Sequence, residues 1–348
     1  MSCPSHLIPL FSVQISFRSW LDYSRVFPAR QAKPFSATAA TTNRIRSVYT
    51  MKPAIVTDSN SGITQAQARE LGIFVLPMPV IIDGTVYYED VDLTAHQFFQ
   101  ALDRRQTVTT SQPAPDDVTS LWDRVLASHD QLVYIPMSSG LSSSCAAAAA
   151  LAEDYEGRVS VVNNHRISET QRSAILDALA LAEAGCTGAE IRQELEQSAL
   201  DSVIYIGVET LEYLRRGGRV TPAAAAIGSV LQIRPVLRID GERLDAFAKV
   251  RGSAACQKRL LSALADSVAE YAAKWDDIDV AAASSCVDPA QNQLWHQTAQ
   301  DAFPDYPVGY SPLAFSISSH VGPNARGLAV TRRLARTKAE LEQRAAGK

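Results

Sequence analysis

Apolar and polar positions change their rhythm twice along this chain. From Ala54 onward, short continuous apolar runs alternate with longer amphipathic stretches. The runs Ala54–Thr57, Phe74–Leu76, Leu132–Ile135, Val159–Val162 and Val203–Val208 read as strands. Thr64–Leu71, Ala95–Asp103, Pro115–Ala127 and Thr170–Ala184 carry helical periodicity. Strands apolar throughout and separated by helices predict an α/β unit whose parallel sheet is covered on both faces. In such sheets, ligands sit beyond the carboxyl ends of the strands. After about Thr210 an alanine-rich segment (Ala223–Ala226) precedes Ile233–Ile239, and Gly241 suits a hairpin turn into Leu244–Val250. A helix over Ala254–Lys274 and strands at Ile278–Ala283 and Leu313–Ser318 follow, which predicts an α+β second domain. The expected division is an N-terminal α/β domain over 51–208 and a C-terminal α+β domain over 209–348.

Charge isolates the first fifty residues. They hold six basic side chains and one acid, a net +5, which leaves −9 for the remainder of a chain whose total is −4. An arginine- and serine-rich, acid-poor segment can imitate a transit peptide, but the reading preferred here is an upstream extension, disordered or not physiological, with Met51 as the start. The charge balance gives no reason to expect nucleic-acid binding. No run of about 20 apolar residues exists to make an integral membrane segment. Five scattered cysteines without zinc spacing imply no metal site, no disulfide framework and a reducing, cytoplasmic setting.

Candidate chemistry lies in hydroxyl-rich turns. Strand Leu132–Ile135 runs into Ser138-Ser139-Gly140-Leu141-Ser142-Ser143-Ser144 and then into an alanine-rich helix. Helix-start N–H groups and serine hydroxyls together suit an anion, although the serines can equally serve as helix caps. A nucleotide is disfavoured, since no lysine occurs between Lys52 and Lys249 and no glycine-rich phosphate fingerprint is present. Thr109-Thr110-Ser111-Gln112-Pro113, set between two helices, is a second such turn. His320-Val321-Gly322-Pro323 is a third, where Gly322 would let backbone approach a ligand. Asp58, at the end of the first strand, is either a cap or a partner for these hydroxyls. The basic residues of 215–219 and the pair Lys249/Arg251 are either solvated charges or a docking surface for an acidic or phosphorylated partner.

Taken in order, seven segments resemble the DegV family, whose characterised members include the fatty-acid-binding FakB subunits of bacterial fatty acid kinases. They are Val56-Thr57-Asp58-Ser59, the threonine–proline turn at 109–113, Ser138-Ser139-Gly140-Leu141-Ser142, Leu211–Arg219, Ile233-Arg234-Pro235, Lys249-Val250-Arg251-Gly252 and His320-Val321-Gly322-Pro323. The resemblance implies two α/β domains, Rossmann-like and α+β, enclosing a long-chain fatty acid, with no cofactor and no catalytic machinery of its own. It implies a carboxylate held by Thr110, Ser111, Ser139, Gly140 and Ser142 with His320 nearby, and Asp58, Ser138 and Gly322 in support. It also implies an ATP-binding, dihydroxyacetone-kinase-like partner that phosphorylates the acid for phospholipid metabolism, with Arg219 and Arg251 as docking residues. The chain departs from the family at Ser142-Ser143-Ser144 (usually Ser-Gly-Thr), at Asn163-Asn164 (usually Asp-Ser) and at Asn324, where a second glycine is usual.

The physics of such a ligand is coherent. Burial yields about 0.8 kcal/mol per methylene, roughly 11 kcal/mol for fourteen of them as an upper figure. The carboxylate that accompanies them is costly unless hydrogen-bonded. Neutral donors, without a buried lysine or arginine, are expected to hold it. Two rival readings are a serine hydrolase, with His320 and Asp58 behind a loop serine but no G-x-S-x-G, and a carrier of another amphipathic acid that serves no kinase.

Overall fold

The computed structural model describes residues 52–222, 233–241 and 243–334. The 1–50 extension and the alanine-rich segment Ala223–Ala226 lie outside the described residues. Strands β1 (Ala54–Asp58), β2 (Phe74–Leu76), β6 (Leu132–Ile135) and β7 (Val159–Val161) form a parallel sheet in the order β2-β1-β6-β7. Alternate side chains of these apolar strands feed two cores, as a sheet covered on both faces requires. Ile55, Val133 and Ile135 pack with α5 (Glu169–Glu183) and α6 (Gly188–Gln197). Ala54, Val56, Leu132 and Tyr134 pack with α3 (Pro115–Leu126) and α4 (Ser144–Ala152) around the fully buried Trp122. Between Leu71, where α1 (Gln65–Leu71) ends on Gly72, and β6, an antiparallel three-stranded sheet intervenes. Its strands are β3 (Pro79–Ile82), β4 (Thr85–Tyr88) and β5 (Val108–Thr110), packed on α2 (Ala95–Asp103).

The second large sheet runs β10-β9-β8-β13-β11-β12. Its strands are β8 (Ser202–Gly207), β9 (Ile233–Ile239), β10 (Asp245–Arg251), β11 (Ile278–Ser284), β12 (Gly309–Pro312) and β13 (Arg326–Arg332). Only the β11–β12 pair is parallel. One face (Val203, Tyr205, Val236, Val280, Leu328, Val330) is sealed by α8 (Ser253–Lys274) and α9 (Pro289–Ala302). The opposite face looks toward the first sheet.

Three expectations are corrected here. Val203–Val208 was assigned to the parallel sheet, yet β8 pairs antiparallel with β9 and β13; an apolar run does not reveal which sheet it joins. Leu313–Ser318, read as a strand from its alternation, instead enters helix α10 (Phe315–Val321). The alternation is met by packing on two sides. Phe315 stacks on Phe98 of α2 at 4.7 Å, while Ser316, Ile317, His320 and Val321 line a cavity on the other side. The threonine turn also differs from expectation, since β5 delivers Thr110 opposite Val80 before α3 begins.

Candidate functional site

The cavity lies against the uncapped face of the second sheet and encloses about 920 Å³ of space free of protein atoms, part of it open to solvent. Strand register explains why it exists. Ala283, Gly327 and Ile206 lie abreast on β11, β13 and β8, and Ala281, Ala329 and Ile204 form the next row on the same face. Three alanines and a glycine, where sheets usually carry branched residues, leave a hollow floor. Ile239, Leu244, Leu214, Leu141, Ile167 and Met137 wall it.

Its polar mouth gathers residues from three bodies. Thr110 ends β5 and Ser111 follows it, Ser142 comes from the turn after β6, and His320 from α10. Thr110 Oγ1 lies 2.8 Å from His320 Nε2. Gln112 also lines the mouth and accepts from the Ser143 hydroxyl at 2.8 Å, tying the two hydroxyl turns together. The serine turn is tight because Leu141 and Ser142 N–H both donate to Ser138 O at 3.1 Å. Ser142 Oγ accepts from Ser144 N–H at 3.2 Å, so one serine both starts α4 and faces the cavity.

Other expected residues are placed differently. Ser139 and Gly140 do not line the cavity; Gly140 N–H donates to Ser138 Oγ, and Ser138 in turn donates to Gly241 O at 2.9 Å. His165 Nδ1 lies 3.3 Å from that same carbonyl, so the β9–β10 turn is held on the serine turn from two sides. Gly322 does not line the cavity. At φ 79° it admits the Tyr213 ring, which a Cβ would meet at 2.6 Å. Asn324 keeps the left-handed backbone (φ 60°) that the family's glycine would supply, a conformation asparagine tolerates. Arg251 is exposed at the end of β10. Arg219, expected on a docking surface, lines the cavity with its Nε 3.3 Å from Leu141 O. The expectation of purely neutral donors is therefore corrected: a half-buried guanidinium stands at the mouth. Sequence reading also passed over Asn60, Ser168, Glu169 and Ser316, which form a second polar wall inside the cavity.

Electrostatics separate the titratable groups by role. Burial, with Arg219 close by, lowers the His320 imidazole to about 4, so it is neutral near pH 7. Asp58 is fully buried and accepts from Met137 N–H at 2.8 Å, Asn60 N–H and Nδ2 at 3.0 Å, and Gln171 Nε2 at 3.2 Å. Burial raises its pKa against those bonds. His320 bonds to Thr110 and Asp58 to none of the histidines among the described residues, so the triad a hydrolase would need is not assembled. Among the described residues no cluster could hold a metal ion, the cysteines are free, and no helix is long and apolar enough to cross a membrane.

Glu89 reports on how α10 is held. Its carboxyl, enclosed beneath the first turn of α10, accepts from Phe315 N–H at 2.9 Å and from the Ser59 hydroxyl at 3.2 Å, and burial lifts it to about 8. Between the ordinary carboxylate range and pH 8 the folded chain keeps a proton that the unfolded chain releases. Stability therefore falls as pH rises through that window. His320, lowered to about 4, adds stability as pH rises toward 6.5, so the clean window lies above it: urea unfolding from pH 6.5 to 8 should show the loss in the wild type and a smaller one in Glu89→Gln; parallel curves would place the Glu89 proton wrongly.

The model of the DegV family, a family of uncharacterised proteins, matches residues 52–333. The chain belongs to the DegV family. It is 30% identical over 282 residues to a DegV domain-containing protein of Deinococcus radiodurans, covering 80% of this chain and 98% of that one. A Listeria innocua DegV domain-containing protein is 31% identical over 280 residues, 80% and 97% of the two chains. Among solved structures, the fatty-acid-binding DegV family protein of Thermus thermophilus superposes with TM-score 0.71 at 28% identity, over 81% of this chain and all of the other. A stearic-acid-binding protein of Eubacterium ventriosum has the same fold, with TM-score 0.73 at 20% identity over 81% and 98%.

Proposed function

We propose that this DegV protein binds a long-chain fatty acid in the cavity on the second sheet and presents its carboxylate to a kinase subunit. The observation that carries this reading is the pairing of an alanine- and glycine-floored apolar cavity with a mouth of hydroxyls, imidazole and guanidinium. The tail lies on Ala281, Ala283, Gly327 and Ala329. The carboxylate faces Thr110, Ser111, Ser142 and Arg219. With its proton on Nε2, the neutral His320 would donate to Thr110 Oγ1 and leave the threonine hydroxyl to donate to the carboxylate. That arrangement compensates the cost of burying the charged end. Among the described residues no carboxylate is bonded to the His320 ring to orient it behind the Thr110 hydroxyl, and the reading makes the chain a binding subunit. ATP would belong to a dihydroxyacetone-kinase-like partner producing an acyl phosphate for phospholipid metabolism, and Arg251 remains a docking candidate. Free thiols in every described cysteine favour a cytoplasmic setting.

Organic extraction and mass spectrometry of the purified protein should yield fatty acid. Gly327→Phe should yield little, because a Cβ at Gly327 meets only ordinary contacts near 3.7 Å and the ring then fills the floor. A lipid-free preparation that also fails to take up oleate would overturn the reading.

A further inference from the structure

The contact that joins the two hydroxyl turns does more than set their spacing. Ser143 stands immediately before α4, where a serine ordinarily bonds the first N–H groups of its own helix. It makes no such bond. Its backbone is already helical (φ −76°, ψ −1°), and the Ser144 N–H is met by Ser142 Oγ instead. The Ser143 hydroxyl therefore reaches across to Gln112 Oε1 at 2.8 Å, which the glycine usual at this position in the family has no side chain to do. A primary amide carries its acceptor and its donors on different atoms. With Oε1 turned to Ser143, Nε2 is turned away from it, and Nε2 has no hydrogen-bond partner among the described residues. Gln112 lines the cavity mouth together with Ser111, Ser142 and Arg219, and it also borders a small crevice formed with Pro113, Pro115 and Ser144.

Resting on the fatty-acid reading, we propose that Gln112 Nε2 is a further donor to the carboxylate, held in place by Ser143, and that it selects an ionised acid over the corresponding alcohol. The reverse orientation of the amide would leave Ser143 satisfied, since a hydroxyl both donates and accepts. It would, however, set Oε1 against the carboxylate, two acceptors with no proton between them. The bound acid and Ser143 are satisfied together only with Nε2 toward the acid. A hydrogen bond to an ionised partner is roughly twice as strong as one between neutral groups, so the amide favours the carboxylate. An alcohol head group meets either end of the amide equally well and gains nothing from the orientation. Because the amide is held before the ligand arrives, little ordering is left to oppose binding.

The test offers delipidated protein equal amounts of oleate and oleyl alcohol at pH 8 and counts the bound species by native mass spectrometry. Gln112→Glu keeps the shape of the side chain and an acceptor for Ser143, but it turns a second carboxylate oxygen toward the acid. It should lower the ratio of oleate to alcohol about tenfold, through loss of oleate. Gln112→Met, which removes the donor without adding charge, should lower the ratio about fivefold and decides the matter should the glutamate variant fail to fold. Ser143→Ala should lower it about threefold, and Ser143→Thr, which keeps the hydroxyl, should restore it. A ratio unmoved by these variants, or acid and alcohol lost in parallel, would overturn the proposal and leave fatty-acid binding standing. Wild-type protein that retains no oleate would overturn both.

Discussion

Replacing Gly217 with alanine should weaken fatty-acid binding by about tenfold to hundredfold, although the change adds one methyl group outside the cavity lining. Gly217 ends α7 (Glu212–Gly217), and its backbone lies against the His320 ring. A Cβ there would stand 2.2 Å from His320 Nδ1 and 2.9 Å from Cε1, well inside contact distance. The ring has to move, and the 2.8 Å bond to Thr110 goes with it. The threonine hydroxyl then loses the partner that orients it toward the carboxylate. Helix propensity acts in the other direction, since alanine is better than glycine inside a helix by about 0.5–1 kcal/mol. A loss of affinity with an unchanged melting temperature would thus trace to the displaced ring. Isothermal titration with oleate beside a melting curve makes the measurement; unaltered affinity would mean that His320 plays no part in holding the acid.

Asp58→Ala should cost about 3–5 kcal/mol of folding stability, the largest loss expected from any single side chain at the site. Its carboxyl is the common acceptor for Met137 N–H, Asn60 N–H, Asn60 Nδ2 and Gln171 Nε2, all buried. Truncation leaves the Met137 and Asn60 N–H groups without an acceptor where water does not reach, while Gln171 Nε2 keeps Thr57 Oγ1 and Ile135 O and Asn60 Nδ2 keeps only the Met137 sulfur. Stranding those donors costs more than their bonds contributed. Two of the donors position the site. Met137 leads into the serine turn, and Asn60 connects Ser316 to Ser168. Acid binding should therefore fail even in the fraction that remains folded. Chemical denaturation of wild type and variant measures the first effect, and binding below the variant's unfolding midpoint the second. A change under 1 kcal/mol would show that the donors find other partners.

How far the sequence foretold these features depended on how local each one is. Strands β2, β6 and β9 were legible to the residue because their apolar runs are bounded by turn residues, and α2 likewise stands out by its period. That Thr110, Ser111, Ser142 and His320 line one cavity was legible because they lie in short hydroxyl or histidine turns that keep their order along the chain. Arg219 was misplaced because a basic residue beside two glycines looks solvated until the fold turns it against Leu141. Glu169 and Ser168 carried no signal at all. They sit at the start of an unremarkable helix, and only the approach of Gly309 and Ala281, more than a hundred positions later, makes their location a cavity wall. The sheet to which β8 belongs was illegible for a related reason, since its partners β9 and β13 are specified elsewhere in the chain.

The floor of small residues has an evolutionary consequence. On β11 and β13 the cavity-facing positions 281, 283, 327 and 329 alternate with Val280, Ala282, Leu328 and Val330, which pack on the helices behind the sheet. Cargo fit and scaffold integrity are thus inscribed on opposite sides of the same two ribbons. A lineage can deepen or shorten its binding trough one methyl at a time without disturbing the packing that keeps the protein folded, so tail preference is free to drift between species while the architecture stays constant.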